Sequence, residues 1–166
     1  MNYVYKIMQS PVGELKLVAS ARGLAGILWE NDKASRVAHL NAAVRDDKHA
    51  VLLETERQLL EYFAGSRKEF TLSLDFVGSD FDKKVWRALL GIPYGERRTY
   101  GQLAKELGQA SMARAVGAAN AKNPISIVAP CHRVIGADGK LTGFAGGLKT
   151  KAFLLNLEAN KIFELE

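Results

Sequence analysis

The residue best suited to chemistry is Cys131, the only cysteine in the chain. A single cysteine cannot form a disulfide within one molecule, and a zinc site would have to be built from histidines and carboxylates alone. His132 and Arg133 follow directly, and such neighbours lower a thiol's pKa from about 8.5 and favour the nucleophilic thiolate. The alternative is that Cys131 is a small buried hydrophobe, the usual state of a lone cysteine. Whether this thiol is reactive or structural therefore has to be judged from the residues around it.

The segment before Cys131 is apolar from residue 125 to residue 129 and ends at Pro130, which cannot donate a hydrogen bond to a sheet. Cys131 is therefore expected where a buried segment stops. Neighbouring side chains in an extended segment point in opposite directions, so a link between Cys131 and His132 would need a turn or a bridging water.

Short motifs occur in a fixed order on both sides of Cys131. They are Arg114-Ala115-Val116-Gly117, Asn123-Pro124, Pro130-Cys131-His132-Arg133-Val134, Gly146-Gly147 and Leu154-Leu155-Asn156-Leu157-Glu158. This ordered set resembles the O6-alkylguanine-DNA alkyltransferase family over residues 81–158. The resemblance implies direct reversal of DNA damage: an alkyl group moves from O6 of guanine to the Cys131 sulfur, once per molecule, because the thioether is not readily reversed. Activity on O4-alkylthymine is left open.

The resemblance also implies roles for individual residues. Cys131 would be the acceptor nucleophile, with His132 as its base through a water molecule and Glu158 orienting His132. Asn123 would brace the turn that holds the active-site segment. Tyr100 would supply a hydroxyl to N3 of the flipped guanine, and no cofactor or metal is implied because the alkyl group itself is the electrophile.

Further expectations concern the DNA and the guanine pocket. The resemblance implies minor-groove binding to double-stranded DNA that contains O6-alkylguanine, with Arg114 filling the gap left by the rotated base. Further DNA contacts are expected at Tyr100, Ala113, Gly117, Gln109 and Ala137. The pocket is expected to include Val134, Phe144, Ala145 and Tyr100.

Two features depart from the family pattern. Phe144 stands where members commonly carry tyrosine, and Ala145 can contribute only its backbone, so we expect an altered preference among alkyl groups and retained activity. With Cys131 as the only cysteine, the N-terminal zinc site of some members cannot be present.

The composition is that of an ordinary globular protein, with 48% hydrophobic and 25% charged residues among 166. No run of about 18 apolar residues and no signal-peptide core occurs. We therefore expect no membrane partner and a location in the cytoplasm, or in the nucleus if the source is eukaryotic. We also expect a monomer. Residues 1–80 carry 10 Lys and Arg against 11 Asp and Glu, whereas residues 81–166 carry 13 against 7. The basic excess in the half with Cys131 fits either a phosphate-facing surface or a solvated basic one.

Hydrophobic periodicity predicts an α+β chain with a boundary near Gly78. Residues 1–78 are expected to form strands over 3–8, 14–19, 26–29 and 70–76 and helices over 35–44 and 53–64. Residues 79–166 are expected to form helices over 81–89, 100–107, 112–122 and 148–159, capped at Ser79 or Asp80, at Thr99 and at Ser111. The family resemblance implies an N-terminal ribonuclease-H-like α/β domain and a C-terminal, mainly helical, winged helix-turn-helix-like domain that binds DNA and accepts the alkyl group.

Two other functions remain open at this point. A cysteine hydrolase could use Cys131, His132 and Glu158 as a triad, but it gives no role to Arg114 or to the basic half. A non-catalytic protein that binds alkylated DNA would not need Cys131. Multiple turnover with an acyl substrate would identify the hydrolase, and DNA binding without transfer would identify the binding protein.

Overall fold

The structure, a computed structural model, describes residues 2–159. They form two compact units. The first contains the residues up to Val77 together with Pro124–Ser126, and the second contains Gly78–Asn123 and the residues from Ile127 onward. Between residues 2 and 159, no helix is long and apolar enough to cross a membrane.

A four-stranded sheet forms the centre of the first unit. Its strands are β1 (Val4–Ser10), β2 (Gly13–Ser20), β3 (Gly23–Trp29) and β4 (Val44–Arg45), in the spatial order β3-β2-β1-β4. The first three strands pair antiparallel, and β4 lies parallel to β1. Helix α1 (Ala50–Phe63) packs on this sheet and buries Leu52, Leu59 and Tyr62, which lie at helical spacing.

The helix predicted over residues 35–44 is wrong. The structure has only a single 3₁₀ turn there, Ala38–Leu40, followed by β4. Val37 and Leu40 are buried as the helical spacing suggested, but Val44, the third residue of that stripe, is 68% exposed. The backbone N–H of Val44 instead donates to the carbonyl of Tyr3 at 2.9 Å, so pairing with β1 replaces the helical hydrogen bonds.

The strand predicted over residues 70–76 is also wrong. Its side chains alternate between half-buried and exposed as far as Leu74, yet the only pairing is one isolated bridge between Leu74 and Leu24. A side chain from α1 takes the place of a neighbouring strand, because Gln58 accepts from the Thr71 N–H at 2.9 Å and donates to its hydroxyl at 3.0 Å. The alternation therefore predicts the burial of these side chains correctly but does not predict sheet pairing.

The second unit is mainly helical, and together the two units confirm the predicted α+β class. Its helices are α2 (Asp80–Leu89), α3 (Tyr100–Glu106), α4 (Ala113–Ala121) and α5 (Leu148–Ala159). Two short strands, β5 (Arg98–Thr99) and β6 (Val134–Ile135), pair in parallel. The indole N–H of Trp86 on α2 donates to the carbonyl of Ala119 on α4 at 2.8 Å, which fixes these helices against each other.

Side chains cap two of these helices as the sequence predicts. The Ser79 hydroxyl accepts from a backbone N–H in the first turn of α2, and Thr99 forms a reciprocal capping box with Gln102 on α3. The predicted cap at Ser111 is wrong, because Ser111 lies inside a 3₁₀ turn, Ala110–Met112, that precedes α4. The N–H of Met112 donates to a backbone carbonyl at 2.8 Å, so the chain closes this turn without the serine hydroxyl.

Candidate active site

A braced turn presents Cys131. The Asn123 amide donates to the carbonyl of Ala129 at 2.8 Å, and the Cys131 N–H donates to the same oxygen at 2.8 Å. Ile127 lies between them with a φ of +73°, a conformation that is unfavourable for a β-branched residue. Because the Asn123 side chain is buried and closes this turn, it makes the contact that a bracing residue would make.

Cys131 begins a single 3₁₀ turn, Cys131–Arg133, so the extended geometry that separates neighbouring side chains does not apply here. The residue is only 4% exposed. A reacting carbon would therefore have to enter a pocket to reach the sulfur. A thiol on the open surface could be reached without one.

His132 is fully buried, and its Nε2 lies 2.6 Å from Oε2 of Glu158. An ionised carboxylate can only accept, so Nε2 carries the proton and Nδ1 keeps a free lone pair. Among residues 2–159, Nδ1 has no hydrogen-bond partner. Burial lowers the pKa of His132, against the opposing effect of Glu158, so the imidazole is held neutral. A neutral histidine with a free Nδ1 has the properties of a general base.

Glu158 is held from several sides. Arg133 pairs with it in bidentate fashion, Nε to Oε1 at 2.8 Å and Nη2 to Oε2 at 3.0 Å, and the Gly95 N–H points to Oε1 at 3.4 Å. The remaining arm of Arg133 donates to the carbonyl of Ile92 at 2.6 Å. Burial raises the pKa of Glu158, but the hydrogen bonds and charges of His132 and Arg133 outweigh it and hold this pKa at about 2.

The position of Arg133 corrects one inference from the sequence. Its place two residues after the thiol suggested a cation that activates Cys131, whereas its guanidinium lies on Glu158. Arg133 therefore contacts the carboxylate that is hydrogen-bonded to His132.

Helix α5 contributes a buried cation that the sequence reasoning missed. Its buried face consists of Lys151, Leu154, Leu155 and Glu158, an i, i+3, i+4, i+7 stripe with a charge at each end. Lys151 is fully buried, and its Nζ lies 3.5 Å from the carbonyl of Thr142. Burial lowers the pKa of Lys151, and the negative charge of an ionised Cys131 raises it. The spacing of Lys151 to the leucines could have revealed it in the sequence.

Tyr100, the first residue of α3, forms a 2.7 Å hydrogen bond between its hydroxyl and that of Thr142. A Cβ at Gly117 would lie 3.6 Å from Cδ1 of the Tyr100 ring, so the ring packs directly on α4. Sequence reasoning identified Tyr100 but not Thr142, because nothing in the sequence marks a half-buried threonine in a glycine-rich loop.

The other predicted residues differ in their exposure. Arg114, in the first turn of α4, is exposed and makes no hydrogen bond or ion pair with any residue between 2 and 159. The expected DNA contacts Ala113, Gly117 and Gln109 are half-buried, and Ala137 is exposed. In the expected pocket, Val134 is buried, Phe144 is half-buried and Ala145 is exposed.

The arrangement supplies a thiol, a neutral base and a phenol hydroxyl. Among residues 2–159, no group of three or more His, Cys, Asp or Glu side chains could hold a metal ion. A thiol close in the chain to a neutral base could act as a nucleophile.

Two domain patterns of one family match the chain. The 6-O-methylguanine DNA methyltransferase, ribonuclease-like domain, matches residues 3–76. The 6-O-methylguanine DNA methyltransferase, DNA binding domain, matches residues 80–160.

Individual relatives agree with this match. A methylated-DNA–protein-cysteine methyltransferase of Mycolicibacterium paratuberculosis is 60% identical over 154 residues, covering 93% of this chain and 91% of the relative. One of Methanosarcina acetivorans is 46% identical over 156 residues, covering 94% and 98%. The crystal structure of Mycobacterium tuberculosis OGT in complex with DNA superimposes with a TM-score of 0.84 at 43% identity, covering 96% of this chain and 93% of that one.

Proposed function

We propose that this chain, which belongs to the 6-O-methylguanine DNA methyltransferase family, repairs DNA by moving an alkyl group from O6 of guanine to the sulfur of Cys131. One observation carries the proposal: the thiol lies in the same turn as His132, a buried neutral imidazole that an ionised Glu158 holds at 2.6 Å. The names of the relatives support the same reaction.

The proposed reaction balances without a cofactor. Cys131 loses its proton to Nδ1 of His132 through a water molecule, and the thiolate attacks the alkyl carbon. A carbon–sulfur bond forms while the carbon–O6 bond breaks, and its electron pair stays on the guanine. The base then gains a proton at N3 from Tyr100, whose proton is restored from the His132 side through solvent. The thioether cannot regenerate the thiol, so each molecule reacts once.

The substrate has to leave the duplex to react, because attack must be in line with the carbon–oxygen bond and the stacked base does not allow that approach. In our proposal the guanine lies between the backbone of Cys131, Val134 and residues 143–145. Phe144 lacks the hydroxyl of a tyrosine there, which alters the preference among alkyl groups. Whether O4-alkylthymine also reacts depends on the same pocket.

The proposed DNA partner is a duplex bound through its minor groove. Helix α4 is short and rich in small residues, among them Ala113 and Gly117, which would allow close approach to the groove. Arg114, exposed in the first turn of this helix, would fill the gap left by the flipped base, and Gln109 and Ala137 would make further contacts. The net charge of +6 over residues 81–166 favours phosphate binding. Residues 79–166 would form this working domain and residues 1–78 its companion, in a monomer located in the cytoplasm, or in the nucleus of a eukaryote.

The first test is intact-protein mass spectrometry after incubation with a duplex that contains one O6-methylguanine. The wild type should gain one methyl group, about 14 Da, and saturate at one per molecule, because the thioether blocks further attack. Cys131→Ala should gain nothing and still bind the duplex. Binding without any mass gain in the wild type would instead favour a binding protein, and repeated turnover of an acyl substrate would favour a hydrolase.

Arg114→Ala should slow repair of duplex substrate by about tenfold to a hundredfold, because the flipped state loses the side chain that fills its gap. The reaction with free O6-benzylguanine should change by less than about twofold, since no base has to leave a stack. Single-turnover rates with the two substrates measure the difference.

Lys105→Ala is the matched control, because Lys105 is an exposed cation on α3 and its loss removes the same charge. It should cost less than Arg114→Ala, and its effect should disappear when the salt concentration is raised. The proposed role of Arg114 would be wrong if free base and duplex slowed equally, or if the two variants behaved alike.

A further inference from the structure

Thr142 contacts two residues of the candidate site through different atoms. Its hydroxyl lies 2.7 Å from the Tyr100 hydroxyl, and its carbonyl accepts from Nζ of the buried Lys151 at 3.5 Å. The Thr142 methyl group lies near Gly136, because a Cβ added to that glycine would come within 3.2 Å of it. The threonine is therefore held by two hydrogen bonds, one at its carbonyl and one at its hydroxyl, and the hydroxyl bond is the one to Tyr100.

The direction of the hydroxyl–hydroxyl bond follows from a count of protons. A phenol has one proton to give, and so has a threonine hydroxyl. If Tyr100 donated to Thr142, no proton would remain for the departing guanine. Tyr100 can therefore bind Thr142 and also protonate the guanine only when Thr142 donates to the Tyr100 oxygen. The phenol proton then points towards the base.

We infer that Thr142 is a positioning residue for alkyl transfer, whose hydroxyl donates to Tyr100 and directs the phenol proton to the leaving guanine. The inference rests on the proposed function. As the carbon–O6 bond breaks, the phenol proton moves to the base and negative charge develops on the Tyr100 oxygen. The Thr142 hydroxyl stabilises that charge without losing its own proton, because successive hydrogen bonds polarise one another. Thr142 itself touches no reacting atom.

Four variants test the inference: Thr142→Val, Thr142→Ser, Tyr100→Phe and the Tyr100→Phe/Thr142→Val double variant. Valine matches the shape of threonine and removes only the hydroxyl, so single-turnover transfer from free O6-benzylguanine should slow about tenfold. Thr142→Ser should recover the rate to within about twofold of the wild type, because serine restores the donor.

The double variant separates positioning from packing. With the Tyr100 hydroxyl absent, Thr142→Val should cause no further loss, since the group it acts through is gone. Alkylation of Cys131 by iodoacetamide needs no protonated guanine, so Thr142→Val should leave that rate unchanged. A purely structural threonine would slow both reactions and would add its loss to that of Tyr100→Phe.

The outcomes distinguish this inference from the proposed function. A wild type that transfers no alkyl group would overturn both. A wild type that transfers, with Thr142→Val equally fast, would overturn the inference alone. Additive losses in the double variant, or a failure of Thr142→Ser to restore the rate, would overturn it as well.

Discussion

Replacement of Glu158 with alanine should lower the free energy of unfolding by about 3–5 kcal/mol, the range for breaking a buried ion pair. Arg133 is 6% exposed and His132 fully buried, so neither can turn to water when the carboxylate is lost. The Gly95 N–H, at 3.4 Å from Oε1, would lose its acceptor too. Urea unfolding at neutral pH measures the change.

Glu106→Ala is the control for this variant. Glu106 also pairs with an arginine, Arg98 at 2.9 Å, but its side chain is 50% exposed. Its removal should cost less than about 1 kcal/mol, because solvent replaces the lost partner. Equal losses in the two variants would contradict the expectation that burial makes the loss of Glu158 the more costly one.

The Glu158 carboxylate also makes the stability of the protein depend on pH in the acid range. In the folded chain the pKa of Glu158 is about 2, against an ordinary value of 4.5. Between these two values the unfolded chain binds the extra proton, so the stabilisation is complete above pH 4.5 and is lost as the pH falls towards 2. Glu158→Gln removes this titration, and its unfolding free energy should vary less over that interval.

Lys151→Met should make the protein more stable and less reactive. Lys151 is fully buried with no carboxylate in ion-pair contact among residues 2–159, so its charge costs desolvation energy that methionine does not. We expect a gain of about 1–2 kcal/mol in the free energy of unfolding, the order of the cost of burying an uncompensated polar group. The Cys131 thiolate would at the same time lose a stabilising cation, and alkyl transfer should slow about tenfold or more.

The rate of iodoacetamide alkylation against pH reports the second effect, because the apparent pKa of the Cys131 thiol should rise in Lys151→Met. Lys149→Met is the matched control: Lys149 is an exposed residue of the same helix, and its replacement should leave both stability and thiol pKa nearly unchanged. A less stable Lys151→Met would show that the lysine contributes more through its contacts than its charge costs.

The sequence predicted the parts of this protein that depend on local pattern. The caps at Ser79 and Thr99 and the helix from Leu148 to Ala159 follow from spacing and capping chemistry. The predicted strand over 70–76 failed because Gln58, distant along the chain, occupies the hydrogen bonds that a neighbouring strand would have used. Such a contact has no local signature.

The candidate site likewise contains some features that the sequence predicts and others that depend on distant contacts. Cys131, His132 and Glu158 were identified from the family resemblance, and the structure brings His132 and Glu158 into contact. The sequence did not predict that Arg133 would bind Glu158, nor that Thr142 would meet Tyr100. Both contacts join segments far apart in the chain, and their geometry depends on how α5 and the glycine-rich loop fold back.

The bidentate pair between Arg133 and Glu158 has an evolutionary consequence. Arg133 takes part in no proposed bond-making step, yet its loss would leave Glu158 buried without its main partner and His132 without a fixed orientation. Natural selection would therefore retain Arg133 as strictly as Cys131, two residues earlier in the chain. Invariance of a residue would then show dependence on this contact as readily as a chemical role. Measuring folding stability and the single-turnover rate separately would tell the roles of Arg133 and Cys131 apart.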